Sequence, residues 1–113
     1  MAKKIAVVLS GCGNKDGAEI TEAVSLLIAL SQLGAEVHFF APDQDFPATN
    51  FMTDKPLAEK RNALLEAARI ARSKIQGLEK LNVNEFDALA LPGGFGAALN
   101  LSTWGREGSR CQV

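Results

Sequence analysis

The chain has little of what usually announces a nucleic acid, a membrane or a metal. Twelve basic against thirteen acidic side chains leave a formal charge of −1, and the single histidine adds nothing to it at neutral pH. No arginine cluster or basic stripe is present, which argues against nucleic acid as a partner. No apolar run approaches the roughly 20 residues that a membrane-crossing helix requires. Cys12 and Cys111 form neither a CxxC pair nor a zinc spacing, so no metal is expected and the thiols should be reduced. Lys3 and Lys4 precede the apolar stretch Ile5 to Leu9, but that stretch is too short for a signal peptide. Ser10-Gly-Cys-Gly follows it in place of a cleavage site. A cytoplasmic protein without a targeting segment is therefore expected. Nothing repeats, and no segment is of low complexity.

What is present is the composition of one globular domain, 47% hydrophobic and 22% charged over 113 residues. Ile5-Ala-Val-Val-Leu is a continuous apolar run of the kind found in a strand covered on both faces. Ser10 to Gly17 is a glycine-rich turn. Asp16, followed by Glu19, predicts a capping-box-like helix start, and Glu19 by itself also reads as a cap. Ile20, Ala23, Val24, Leu27 and Leu30 then recur at helical spacing, and Gly34 ends the helix. Val37 to Ala41 is a second strand, stopped by Pro42-Asp43.

The polar stretch from Asp43 to Asp54 allows a short hairpin around Asn50-Phe51-Met52. Pro56 suits the first turn of a second helix. Leu64, Ala67, Ala68, Ala71 and Ile75 give that helix one apolar face, and Gly77 closes it. Phe86 to Leu91 is a third buried strand, followed by Pro92-Gly-Gly-Phe-Gly. Strand, helix, strand, helix, strand predicts right-handed crossovers and a parallel sheet with helices on both faces, an α/β fold. Three parallel strands leave an exposed edge, so a shortened chain or an obligate partner is expected. Ser102 to Val113 shows no clear period.

Several residues stand where chemistry is possible. Gly11-Cys-Gly-Asn-Lys-Asp-Gly17 follows a strand and opens a helix, the setting of a phosphate loop. It reads GxGxxxG, and Asp43 lies where a dinucleotide fold places its ribose-binding acid. Against a nucleotide stands Asp16, which would repel a pyrophosphate; the plainer reading is a flexible turn. Cys12 sits at the carboxyl end of the first strand, the edge where open α/β sheets place ligands, and the following helix should favour its thiolate. Cysteine is equally a common core residue. Glu22 lies beside apolar helix positions, but a solvated surface glutamate is the ordinary reading. The two glycines after Pro92 would let main-chain N–H groups face a ligand, as in an oxyanion hole; a tight turn without a ligand is the alternative. His38, within a strand, is expected to be structural.

Five stretches carry a resemblance: Val7-Val-Leu-Ser-Gly-Cys-Gly, Asp16-Gly-Ala-Glu-Ile-Thr-Glu-Ala-Val, Gly34-Ala-Glu-Val-His-Phe-Phe-Ala-Pro-Asp, Arg61-Asn-Ala-Leu-Leu-Glu-Ala-Ala-Arg-Ile-Ala-Arg and Leu91-Pro-Gly-Gly-Phe-Gly-Ala-Ala-Leu-Asn-Leu-Ser. Together they resemble the enhancing-lycopene-biosynthesis (ElbB-like) branch of the ThiJ/PfpI group, within the class I glutamine-amidotransferase-like superfamily. The resemblance implies a flavodoxin-like three-layer sandwich, of which residues 1–113 would be a single partial domain, the N-terminal half.

It also implies a dimer, and glyoxalase-, deglycase- or hydrolase-type chemistry on small carbonyl compounds, with no metal or organic cofactor. In such enzymes a cysteine on a sharp elbow attacks a carbonyl, assisted by a glutamate and by glycine amides. Carried over, the glutamate is Glu22, the oxyanion amide is that of Gly94, Gly93 shapes the turn, and Cys12 lines the pocket. The nucleophile elbow has no match here, since Cys111 lies in a glycine-containing tail. A chain without it would hold the supporting half of the site and be inactive alone. A noncatalytic binding or regulatory domain and a nucleotide-binding module are the competing readings.

Overall fold

The computed structural model describes residues 2–102, 105 and 108. Its sheet is parallel throughout, in the order β5-β2-β1-β6, formed by β1 (Lys4–Val8), β2 (Glu36–Ala41), β5 (Ile75–Gly77) and β6 (Ala88–Ala90). A separate antiparallel pair, β3 (Asp45–Asn50) and β4 (Lys55–Asn62), stands beside it. The helices are α1 (Ile20–Gln32), α2 (Ala63–Ala71) and the short α3 (Gly96–Asn100). An α/β fold with a parallel sheet is what the alternating runs predicted.

The pleat of β1 sorts its side chains onto two faces. Val7 and Leu9 are buried with Ala18, Ala23, Ala67 and Ala71, which places α1 and α2 on one face of the sheet. Ala6, Val8 and Phe40 face the other side, where Leu78, Leu81, Phe86 and Leu101 cover them. The strand order explains the division. From β1 the chain steps outward through α1 to β2 and through α2 to β5, in one direction. It then returns to the far side of β1 as β6. With crossovers of constant hand, that reversal moves the connection to the opposite face. Between Gly77 and Ala88 this return is made by two single 3₁₀ turns (Leu78–Lys80 and Val83–Glu85).

Local signals account well for α1. Glu19 is its N-cap and accepts a hydrogen bond from the Glu22 N–H at 2.7 Å. At the other end Gly34, with φ +73°, donates to Ser31 O while Ala35 donates to Leu30 O. This pair of bonds closes a helix on a left-handed glycine.

Three expectations need correction. Asp16 does not cap α1; its carboxylate is buried and accepts from the Thr49 N–H at 2.9 Å, tying the β1–α1 loop to the hairpin. Pro56 opens no helix. It lies in β4 opposite Thr49, in a two-stranded ribbon where proline is tolerated at an edge. The hairpin therefore runs well past Asn50-Phe51-Met52, and α2 begins only at Ala63, capped by the Asn62 side chain at 3.0 Å from Leu65 N. Finally, α2 stops at Ala71, where Arg72 takes φ +65°. Ile75 and Gly77 belong to strand β5, paired with Phe39 and Ala41. Three residues are too short a run for strand periodicity to register, so only pairing with β2 reveals this strand.

Candidate functional site

A doubly wound sheet opens a crevice where successive connections leave on opposite faces, outside the carboxyl ends of the strands. Here that point lies between β1 and β6. Two loops meet there: residues 9–19 after β1, and Leu91 to Phe95 after β6.

Their junction is mainly backbone. The Gly93 carbonyl accepts from the Glu19 N–H at 2.7 Å, which fastens the double-glycine turn to the first residue of the α1 cap. Asn14 O accepts from Phe95 N at 2.8 Å and, more weakly, from Gly96 N at 3.4 Å. A β-carbon on Gly96 would fall onto the N and Cα of Gly17, so the two loops touch main chain to main chain. Only glycine permits that approach. Asn100, buried in α3, donates to both Ser10 O (2.8 Å) and Asp16 O (2.9 Å), holding the β1–α1 loop from below.

Glu22 reaches this junction from α1. Its Oε1 lies 2.5 Å from the point that a β-carbon on Gly93 would occupy, so the carboxylate rests directly against the glycine turn. Among the described residues the N–H groups of Gly93 and Gly94 donate to no protein acceptor, whereas those of Phe95 and Gly96 are taken by Asn14. The structure therefore sets the exposed Glu22 carboxylate against Gly93, with Gly94 next along the turn and packed on Asn14. Such a carboxylate can take up a proton, and uncommitted amide N–H groups can donate to a developing oxyanion.

Cys12 is placed differently. It is half-buried, and the charged groups that act on its thiol are Glu66, Arg69 and Asp16. Burial, then Glu66, push the thiol above its ordinary value, and Arg69 only partly offsets them. The expectation of a favoured thiolate is corrected: burial and the Glu66 carboxylate on α2 outweigh Arg69 on the same helix. Cys111 lies outside the described residues.

The phosphate-loop reading meets a loop filled by its own chain. A β-carbon on Gly13 would meet Asp16 Oδ1, and one on Gly17 would meet the Cys12 N, at 2.5 and 2.7 Å. Asp43 accepts from the Asn62 amide at 2.8 Å, supporting the α2 cap. His38 is structural, paired with Glu36 at 2.7 Å and set edge-on to Phe86. Sequence reasoning missed Asn14 and Asn100. Asn14 lay within the glycine loop without any distinguishing signal. Asn100, a lone amide in the apolar run Ala97-Ala-Leu-Asn-Leu, was detectable as a buried polar group in need of partners.

No protein-family profile matches the chain. Over 112 residues it is 50% identical to the mitochondrial ES1 protein homologue of Rattus norvegicus, an alignment covering 97% of this chain and 42% of that protein. Over 114 residues it is 49% identical to the mitochondrial glutamine amidotransferase-like class 1 domain-containing protein 3 of Homo sapiens, covering 99% and 42%. The crystal structure of an isoprenoid biosynthesis protein with an amidotransferase-like domain from Ehrlichia chaffeensis superposes with a TM-score of 0.83 at 40% identity. That match covers 86% of this chain and 46% of the other. The chain thus spans less than half the length of the relatives it matches.

Proposed function

Since the chain belongs to the ElbB-like branch of the class I glutamine-amidotransferase-like proteins, we propose that its Glu22–Gly94 crevice is the acid and oxyanion half of a cysteine-dependent site for small electrophilic carbonyl compounds. The observation that carries this reading is the Glu22 carboxylate seated against Gly93, beside amides with no protein acceptor. In the proposed reaction a thiolate supplied from outside this chain forms a C–S bond to the carbonyl carbon. The π electrons move to oxygen, and the N–H groups of Gly94 and Gly93 receive the resulting negative charge. Glu22 takes the thiol proton and returns it to the product. Glyoxalase-, deglycase- and hydrolase-type outcomes all share this first step.

A second reading is favoured by one observation. Cys12 is held protonated by burial and Glu66, so it is a poor nucleophile at neutral pH. Taken alone, the chain would then bind a carbonyl compound without turning it over, as a noncatalytic domain. A homodimer and a cytoplasmic location complete the proposal; relatives named as mitochondrial make cell fractionation the direct check on the second. No described helix is long and apolar enough to cross a membrane.

The test is reconstitution. This chain is co-expressed with the segment of the rat relative that it does not span, and assembly is established by co-elution. Methylglyoxal turnover should then appear, be absent from the chain alone, and fall about 10²–10⁴-fold in Glu22→Gln. An assembled pair whose turnover ignores Glu22→Gln would remove the catalytic reading. An assembled pair that binds carbonyl compounds without turnover would establish the second one.

A further inference from the structure

A cavity of about 220 Å³ lies between the β1–α1 loop, the β3–β4 hairpin and α3, apart from the Glu22–Gly94 crevice. It holds roughly seven waters at ~30 Å³ each, the size of a small organic molecule. Its walls are largely apolar, from Phe46, Pro47, Pro56 and Leu99. Its charges are of one sign. Asp16 and Asp45 line it, and no lysine, arginine or histidine does among the described residues.

Asp16 is the unusual group. It is only 8% exposed, and its carboxylate receives one hydrogen bond from the described residues, from the Thr49 N–H. The adjacent Lys15 gives it no partner, because that ammonium is 2.7 Å from Asp54. A carboxylate with a single neutral donor keeps acceptor capacity for a further N–H group. Asp45 accepts from the Asn62 amide at 3.2 Å and, on its other side, borders a surface depression that it shares with Lys60, Arg61 and Arg69. Among the described residues no three His, Cys, Asp or Glu side chains gather as ligands, which disfavours a metal ion here. Charge and wall chemistry together fit an ammonium head on a short apolar body.

We propose that this cavity is a second ligand site, taking a small organic monocation whose ammonium pairs with Asp16 and whose apolar part lies against Phe46 and Leu99. The proposal does not rest on the carbonyl reading. It sits on the loop that carries Asn14, so occupancy bears on the same loop that holds the double-glycine turn.

The probes are n-butylammonium, n-butanol and butyrate, titrated into the 113-residue chain. Affinity is measured by calorimetry, and the site is located from amide chemical shifts at Phe46 and Thr49. The ammonium should bind in the millimolar range or better, at least about tenfold tighter than the alcohol, with butyrate weakest. Asp16→Asn, which keeps an acceptor for the Thr49 N–H, should bring ammonium and alcohol to parity. Asp45→Asn should weaken the ammonium several-fold, and Leu99→Trp should block both probes. Equal binding of ammonium and alcohol to the unmodified chain, or no shift at Phe46 and Thr49, overturns the proposal. That comparison stands even if Asp16→Asn does not fold.

Discussion

The Glu22 carboxylate rests against the α-carbon of Gly93, with Oε1 2.5 Å from where a methyl group would project. Gly93→Ala must therefore push the glutamate aside or open the turn. Because Glu22 is exposed and only the far end of its flexible side chain is met, a loss of at most about 1 kcal/mol is expected by chemical denaturation. Removing the obstruction should restore part of it: Gly93→Ala combined with Glu22→Ala should be more stable than the sum of the single changes by roughly 0.5 kcal/mol. Additive effects would mean that the two residues do not touch.

Gly96 and Gly34 separate two reasons for a glycine. A methyl on Gly96 meets the Gly17 backbone, which cannot swing away like a side chain. Gly96→Ala should cost at least the roughly 1–3 kcal/mol of overpacking and disturb the amide resonances of Gly17 and Cys12. Gly34 has no atom within 4 Å of its missing β-carbon but holds φ +73°. Gly34→Ala should cost only the roughly 1–2 kcal/mol of left-handed backbone strain and leave the loops unchanged.

Asn100 holds the β1–α1 loop through two carbonyls, Ser10 O and Asp16 O. Asn100→Ala leaves both without this donor, at about 1–3 kcal/mol each if they stay buried. Hydrogen exchange at Gly13 and Thr49 should accelerate. Asn100→Asp should be worse at neutral pH, since a carboxylate would face two oxygens. Wild-type-like stability in both variants would show that water satisfies the carbonyls.

The raised Cys12 thiol has a pH signature. Alkylation by iodoacetamide should be slow at pH 7 and rise with a midpoint above that of an unfolded thiol. Glu66→Gln should lower the midpoint, and Arg69→Ala should raise it further. The linkage runs in one direction. As pH rises through the ordinary thiol value, the unfolded chain loses its proton while the native thiol keeps it. Stability should therefore fall across that window, between the unfolded value and the raised native one. A midpoint at or below the ordinary value would contradict the burial and charge argument.

The residues themselves determined what depends on near neighbours along the chain. The apolar runs of β1 and β2, the α1 periodicity with Gly34 at its end, and the sharp turn after Pro92 all follow from local pattern and backbone chemistry. Tertiary structure alone decided what depends on residues far apart in sequence. It drew Ile75 into a strand beside Phe39, turned Asp16 inward to Thr49, and set Cys12 beside Glu66. It also brought Glu22 against Gly93. The physical reason is that a side chain's direction, and a strand only three residues long, acquire a preference only when a partner arrives from another part of the chain.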